Sequence, residues 1–314
     1  MRILYLDQNA WVALARGAWD KAEYPREHAA LATVVALIED RAIITPLSFT
    51  NLYETAKIND PVRRAHLARV QAVISGGHVF RGRRRIFAET LADSLAKRFS
   101  LEREALADEW FLSSLWFEAA ADYSAATYGL EISARVLDHV RANPIKTLFE
   151  HLAYGDEAVR VEAVRRYSMG SAGLVAQLEA RRAIVAGETF AVRRRAYGAR
   201  LILDEIDFIL ATARRLGLAW QNVHDISSSL MRSLPSDIPV LNVERELVIR
   251  LEDQTRKISE NDLRDVAAFT TVLPFATVMV AEKPFVNLAR QARLGTLYET
   301  TLLTSVFELS SDLF

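Results

Sequence analysis

The N-terminal segment reads Ile3-Leu4-Tyr5-Leu6-Asp7, four apolar residues followed by an acid. A short apolar run with an aromatic residue inside it is typical of a buried strand. The acid ends the run too early for the apolar core of a signal peptide. We therefore expect the chain to open with a strand of an internal sheet.

Strands and helices alternate after this first strand. The apolar residues of 9–16 and 28–40 recur at helical spacing, and 42–45 is a second short strand that a proline ends. Ser48 or Thr50 can cap the helix that follows. The order strand, helix, strand, helix is typical of a parallel α/β sheet.

The C-terminal part returns to the same alternation. Residues 259–273 are typical of a helix, 276–281 of a strand with a Val-Met-Val core, and 297–303 of a last strand. Pro284 suits the first turn of the helix between the two strands. Because both ends of the chain supply strands, we predict one α/β sheet, formed by the N- and C-terminal segments and flanked by helices.

The middle of the chain, residues 61–258, lacks this strand pattern and is rich in Ala, Leu, Glu and Arg. Its composition predicts helices over 87–99, 101–128, 132–140 and 174–216. The last of these is expected to break near Gly187 or Gly198. We therefore predict a discontinuous α/β domain, residues 1–60 and 259–314, that carries an all-α insertion domain over 61–258.

The composition excludes several classes of protein. The chain has 314 residues, no cysteine, and 39 Lys and Arg against 40 Asp and Glu. Without cysteine there is no thiol nucleophile, thiolate zinc site or iron–sulfur cluster. Glycine-rich nucleotide-binding motifs are also absent from the sequence. The longest uncharged stretch, 266–281, is shorter than the roughly 20 residues of a membrane span, so we expect a cytoplasmic protein with no membrane partner.

Acids are concentrated at the ends of the predicted α/β elements. Asp7 ends the first strand, Glu54 lies on the helix after the second, and Glu282 follows the Val-Met-Val strand. Asp262 and Asp265 lie three apart on one helix, which predicts that they share a face. Because open parallel sheets bind ligands beyond the carboxyl ends of their strands, these acids are expected to converge. Taken alone, Glu282 is typical of a solvated loop acid.

Converging carboxylates repel one another and need a positive charge between them. Mg²⁺ or Mn²⁺ supplies that charge and favours oxygen ligands. Such a site suits hydrolysis of a phosphodiester, because the cation acidifies water and offsets charge on the leaving oxygen.

Three of these acids also have structural alternatives. Asp7 is a favoured N-cap residue for the helix after it. Ser259 and Asp262 have the spacing of a capping box. Glu54 can pair with Lys57 on an exposed helix face. The prediction of a site therefore depends on the coincidence of the acids rather than on any one of them.

Several stretches together resemble the PIN-like nuclease family over about a third of the chain. They are Tyr5-Leu6-Asp7-Gln8-Asn9, the helix with Glu54, Asn261-Asp262-Leu263-Arg264-Asp265, and Val278-Met279-Val280-Ala281-Glu282-Lys283. The resemblance implies a PIN-like sheet and a metal-dependent nuclease that acts most often on RNA. The large helical insertion and the glutamate at 282, where the family more often has aspartate, depart from the family pattern.

The resemblance also assigns roles to individual residues. It implies that Asp7, Glu54, Asp265 and Glu282 hold one or two Mg²⁺ or Mn²⁺ ions, with Asp262 as a further catalytic candidate. Glu282, with its longer side chain, is expected to coordinate through water.

Two more residues complete the predicted site. Asn9 is expected to orient Asp7 by a hydrogen bond, and Lys283 to contact a substrate phosphate. Cleavage of RNA would leave 5′-phosphate and 3′-hydroxyl ends. Because the family includes toxins and defence effectors, we expect an inhibitory or defence-system partner protein, and a homo-oligomer is a further expectation. The alternatives are a nuclease for DNA or flaps, and an RNA-binding scaffold with a degenerate site.

Arginines cluster in two places outside the predicted sheet. The denser patch consists of Arg81, Arg83, Arg84 and Arg85. We predict that it contacts the RNA backbone, although a solvated helix face is the alternative. The second cluster, around 193–195 with Arg181 and Arg182, is more typical of internal salt bridges with nearby acids.

Overall fold

The computed structural model describes residues 2–120 and 132–314 and shows a mixed α/β fold. Its main sheet has four parallel strands in the order β2-β1-β5-β6, and β3 and β4 form a separate antiparallel pair. Strands β1 to β6 cover Arg2–Leu6, Ile43–Ile44, Val79–Phe80, Leu112–Ser113, Val278–Val280 and Thr301–Leu303. The predicted sheet, built from the two ends of the chain, is therefore confirmed.

Helices make up most of the remaining described chain. Helices α1 to α8 cover Gln8–Trp19, Pro25–Glu39, Phe49–Ala56, Pro61–Ile74, Arg83–Phe99, Ala134–Ala142, Pro144–Tyr154 and Glu157–Ile184. Helices α9 to α15 cover Phe190–Asp204, Ile206–Arg215, Ser228–Asp237, Pro239–Leu251, Glu260–Val272, Lys283–Gln291 and Leu294–Leu297. Among the helices that the structure describes, none has both the length and the apolar character needed to cross a membrane.

Parallel pairing of β1 with β5 joins the two ends of the chain. Leu6 lies opposite Val280 at the end of both strands, and the Asp7 amide donates to the Val280 carbonyl at 3.0 Å. The next residues of each segment therefore leave the sheet at the same edge.

Local sequence signals explain where several helices begin and end. The Asp7 carboxylate caps α1, and Ser48 with Asn51 forms a capping box at α3. The predicted break at Gly187 is present, with a left-handed φ of 86° that favours glycine. Gly198 instead lies inside α9, which continues through it to Asp204.

The expectation that 61–258 contains only helices is wrong. Strands β3 and β4 pair there, and Leu47 joins β3 through a parallel bridge. The predicted helix over 101–128 is also wrong for its described part, because 101–107 is irregular and Trp116–Ala119 is a 3₁₀ turn. The remainder of that prediction, 121–128, lies outside the described residues.

The helix predicted over 101–128 was based on helix propensity alone, and contacts in the folded chain explain the difference. In this irregular segment, the Arg103 guanidinium donates to the backbone carbonyl of Glu89 on α5 and forms an ion pair with the Glu89 carboxylate. The α5 helix ends just before this segment at Ser100, which adopts a left-handed φ of 51°. Tertiary ion pairing therefore overrides the local preference of this segment.

Alternate residues of the strands face two hydrophobic clusters. Ile3, Tyr5 and Met279 pack into one cluster, and Leu4 and Val278 into the other. Residues of the segment 61–258 belong to both clusters, Leu241 and Ile249 to the first, Leu67 and Leu148 to the second. The division into two domains stays a prediction, and these helices pack directly on both faces of the sheet.

Truncation of Leu4 tests this account of the core. Leu4 is fully buried at the centre of β1, so Leu4→Ala is expected to lower the free energy of unfolding by about 2–5 kcal/mol. Urea denaturation measures the change. The matched control is Leu174→Ala on α8, where the side chain is 54% exposed and we expect a change within about 0.5 kcal/mol. Equal effects of the two substitutions would contradict the assigned core.

Candidate active site

Four of the predicted acids line one small cavity at the carboxyl edge of the sheet. The cavity measures about 200 Å³, and its walls include Asp7, Glu54, Asp265 and Glu282. Asp7 follows strand β1 and Glu282 follows strand β5, whereas Glu54 lies on α3 and Asp265 on α13. The topology thus brings together acids that are far apart in the sequence.

The Asp7 carboxylate caps helix α1 through one of its oxygens. Oδ1 accepts a hydrogen bond from the Ala10 amide at 2.8 Å, so the N-cap interpretation of this residue is correct. Burial, reinforced by the nearby Glu282 charge, raises the pKa of Asp7 to about 6. Capping and a role in the cavity are compatible, because the cap uses only one oxygen.

Asp265 is the acid whose charge is least compensated. Burial, together with the negative charges of Glu282 and Asp7, raises the pKa of Asp265 to about 8. Among the described residues, no side chain donates a hydrogen bond to its carboxyl group or forms an ion pair with it. A cation in the cavity would supply the missing charge.

Glu282 and Asn9 interact with each other at the mouth of the cavity. The Asn9 amide donates to Glu282 Oε1 at 2.9 Å across the β1–β5 edge. The Asn9 side chain is therefore engaged by Glu282 rather than by Asp7, and the Asn9 backbone amide is the part of this residue that hydrogen-bonds the Asp7 carboxylate. Asn9 lies in the first turn of α1, next to the cap that Asp7 forms with the Ala10 amide.

Glu54 reaches the cavity as one half of an ion pair. Arg264 Nε lies 2.5 Å from Glu54 Oε1, whereas Lys57, the partner considered from sequence, lies 4.0 Å away. Arg264 is buried and lines the cavity. Arg264 was not among the predicted site residues, although positions 261, 264, 265 and 268 share one face of α13 by helical spacing.

Asp262 does not line the cavity, contrary to its prediction as a catalytic residue. Its carboxylate accepts from the Ser259 amide at 2.7 Å and forms a two-contact ion pair with Arg256 at 2.8 and 2.5 Å. The pKa of Asp262 is lowered, because these hydrogen bonds outweigh its burial. As the third residue of α13, Asp262 turns back to the helix cap, so the capping-box alternative is correct.

The four acids do not form a closed metal cage. Within residues 2–120 and 132–314, no three His, Asp or Glu side chains lie close enough together to hold an ion. The Arg264 ion pair engages Glu54, which leaves Asp7, Asp265 and Glu282 as the oxygen donors without an arginine partner.

A second cavity, of about 380 Å³, continues from the first. Asp7, Asn9 and Glu282 line both, and Lys283 and Phe307 line only the second. The exposed Arg26 guanidinium lies 4.6 Å from the centre of the Phe307 ring. The two cavities together form a groove that runs from the acids to two cationic side chains and an aromatic ring.

The predicted RNA-contacting arginine patch is engaged within the protein. Arg81 pairs with Glu118 at 2.5 Å, and Arg83 bridges Glu205 and Glu244 at 2.7 and 2.8 Å. Arg84 shares Glu205 at 2.6 Å, and Arg85 lies 2.9 Å from Glu89. Glu118, Glu205 and Glu244 are distant in the sequence and come close only in the fold. Because its arginines are engaged by these acids and by Glu89, the patch is not a free phosphate surface.

Part of the second arginine cluster makes internal ion pairs, as expected. Arg193 pairs with Asp253 at 2.9 Å and Arg194 with Glu246 at 2.6 Å. Their partners lie on or after α12 rather than among the neighbouring acids of the sequence. Arg195 has no partner among the described residues.

Comparison of the chain with protein families, curated proteins and solved structures finds no match. The argument for function therefore depends on the site itself.

The raised pKa of Asp265 predicts a pH-dependent stability in the absence of divalent cations. Between about pH 4 and pH 8 the unfolded chain has lost this proton and the folded chain keeps it, so the free energy of unfolding falls as the pH rises. Asp265→Asn removes the proton and the charge. We expect the variant to become more stable than the wild type by about 1–3 kcal/mol at pH 8, and by less at pH 5.

Urea denaturation across this pH range measures the difference. Asp138→Asn on α6, where the side chain is 75% exposed, is the matched control and should keep the wild-type pH dependence. An Asp265→Asn protein that is no more stable than the wild type at pH 8 would contradict the assigned burial of charge.

Proposed function

We propose that this protein is a PIN-like, divalent-metal-dependent endoribonuclease whose active site is the acid-lined groove at the carboxyl edge of the sheet. The observation that carries the proposal is the pairing of Asp7 and Asp265 in one cavity, each with its pKa raised by burial and by like charge. Groups with such shifts in a cleft are candidates for function. The resemblance of the sequence to PIN-like nucleases supports the same conclusion.

The donor chemistry of the residues present suits a hard divalent cation, although no three acids of the described residues stand close enough together here to hold one. The side chains that could supply ligands are the carboxylates of the cavity and the amide of Asn9, which suit the oxygen-ligand preference of Mg²⁺ and Mn²⁺. The charge of Arg264 offsets only part of the effect of burial, Glu282 and Asp7 on Asp265, so a cation would stabilise its ionised form. Asp7, Asp265 and Glu282 are the proposed ligands, and their side chains would have to draw together around it; Glu54 would join only on release from Arg264. Bound there, the cation would acidify water and offset charge on the leaving oxygen.

The residues of the chain have separate tasks in this proposal. Asp7 and Asp265 must both be ionised to bind a cation, so the affinity for the cation should rise with pH through their pKa values of about 6 and 8. Asn9 holds Glu282 at the mouth of the cavity. Lys283, which lines the second cavity, and Arg26, which lies over the Phe307 ring, would contact substrate phosphates. The Phe307 ring, which also lines the second cavity, would offer a face for a base to stack on.

One observation favours a second candidate function, an RNA-binding scaffold without catalysis. Arg264 neutralises Glu54, and among the described residues no three acids lie close enough together to hold a metal ion. A protein of this kind would bind RNA in the groove without cleaving it. The toxin or defence setting, a partner protein and a homo-oligomer are proposals that follow from the family resemblance alone.

Replacement of Asp7 separates these functions. Asparagine is as good an N-cap as aspartate, so Asp7→Asn should keep α1 while it removes a cation ligand. We expect cleavage of single-stranded RNA with Mg²⁺ or Mn²⁺ to fall by about a hundredfold or more. Gel analysis of cleavage, with the fragment ends mapped and EDTA as the metal-free condition, measures this. The expected ends are 5′-phosphate and 3′-hydroxyl.

Asp138→Asn is the matched control and should cleave like the wild type, because its side chain is exposed on α6. Undiminished metal-dependent cleavage by Asp7→Asn would contradict the site. RNA binding without cleavage by the wild type would favour the scaffold. Faster cleavage of single-stranded DNA or of a flap at equal metal would assign a DNA substrate to the same site.

A further inference from the structure

A larger cavity lies away from the acids, between α9, α11, α12 and the end of α14. Its volume is about 990 Å³, near the upper end of the range typical of small-molecule sites. Six arginines line it: Arg194, Arg195, Arg232, Arg245, Arg250 and Arg293. The single acid among its described lining residues is Glu246, so the walls carry a strong excess of positive charge.

Glu246 is shared among three of these arginines. It lies 2.6 Å from Arg194, 2.7 Å from Arg250 and 3.1 Å from Arg245. Arg245 is buried, and its burial together with the nearby Arg194 lowers its pKa. One carboxylate cannot neutralise three guanidinium groups. The cavity is therefore built around cationic charge that the protein itself leaves partly uncompensated.

The side chains of the other three arginines have no partner among residues 2–120 and 132–314. Arg195, Arg232 and Arg293 are exposed, and none forms a hydrogen bond or ion pair through its side chain with another described residue. Arg293 adopts a left-handed φ of 55° just after α14 ends, a conformation that is uncommon for a non-glycine residue. These side chains are available to an anionic ligand.

The cavity also has apolar walls. Phe190, Ile202, Met231 and Pro235 line it, and the Arg250 guanidinium lies 4.9 Å from the centre of the Phe190 ring. A flat ring between such surfaces would bury apolar area while its anionic part meets the arginines. Inorganic phosphate alone would leave these walls uncovered.

Helix α14 separates this cavity from the acid groove. The helix begins at Lys283, beside Glu282, and its last residue, Gln291, lines the cavity. Nine residues span about 13 Å along a helix, and the cavity lies at the far end from the acids. A ligand in the cavity would therefore occupy a site distinct from the proposed active site.

We propose that this arginine-lined cavity binds a nucleoside phosphate, a small ligand with an anionic chain and a flat base. Two observations favour a small nucleotide over an RNA strand. The volume matches one small molecule, and α14 places the cavity at the opposite end of the helix from the groove in which RNA would be cut. The inference does not depend on the nuclease activity.

Isothermal titration calorimetry with ATP, GTP, CTP and UTP as separate probes tests the proposal. At least one is expected to bind with a single saturable site, and inorganic phosphate and the free nucleoside to bind more weakly. In Arg195→Glu/Arg232→Glu, affinity should fall by about tenfold or more, because charge-assisted contacts to phosphate are lost. Neither residue makes an internal ion pair, so the fold should be unchanged.

The matched control is Arg69→Glu/Arg98→Glu, which makes the same change of net charge at exposed arginines outside the cavity. It should keep the wild-type affinity, and so should Asp7→Asn, which alters only the acid groove. Absence of saturable binding by all four nucleotides would overturn the proposal, as would equal affinity in both double variants. If a short RNA bound through Arg195 and Arg232 while no nucleotide did, the cavity would be an RNA site instead.

Discussion

Parallel pairing of β1 with β5 is the constraint from which the proposed active site follows. With Leu6 opposite Val280, the residues after both strands leave the sheet at one edge, and Asp7 and Glu282 meet there. A shift of one residue in this register would reverse which side chains face each layer of the core. The buried faces of the two strands therefore fix the position of the acids as well as the fold.

Burial and mutual repulsion make the ionised acids of the groove unfavourable, and the folded chain does not fully compensate for this. Arg264 compensates Glu54 and Arg256 compensates Asp262, whereas Asp265 has neither an ion pair nor a hydrogen-bond donor among the described residues. A buried acid in a cleft, with its pKa raised by burial and by neighbouring negative charge, is a candidate for function. The proposed cation and anionic substrate would account for both the acids and the cationic side chains of the groove.

The sequence predicted the parts of the fold and site that depend on local pattern. Strand β1, strand β5 and the break at Gly187 follow from apolar runs and glycine, and strand order explains why Asp7 and Glu282 converge. The partners of Arg83 and Arg264 could not be predicted, because Glu205, Glu244 and Glu54 come close only in the folded chain. For the same reason, no local pattern identified the cavity formed by α9, α11, α12 and α14.

Side-chain carboxyl NMR of Asp7 and Asp265 tests the central claim most directly. The signals, assigned with Asp7→Asn and Asp265→Asn, would be followed from about pH 3 to pH 10 with and without Mg²⁺. Without Mg²⁺ we expect the coupled pair to titrate in two steps near pH 6 and pH 8. With Mg²⁺ both steps should move toward the ordinary value of about 4. Two ordinary titrations that Mg²⁺ leaves unchanged would contradict the account.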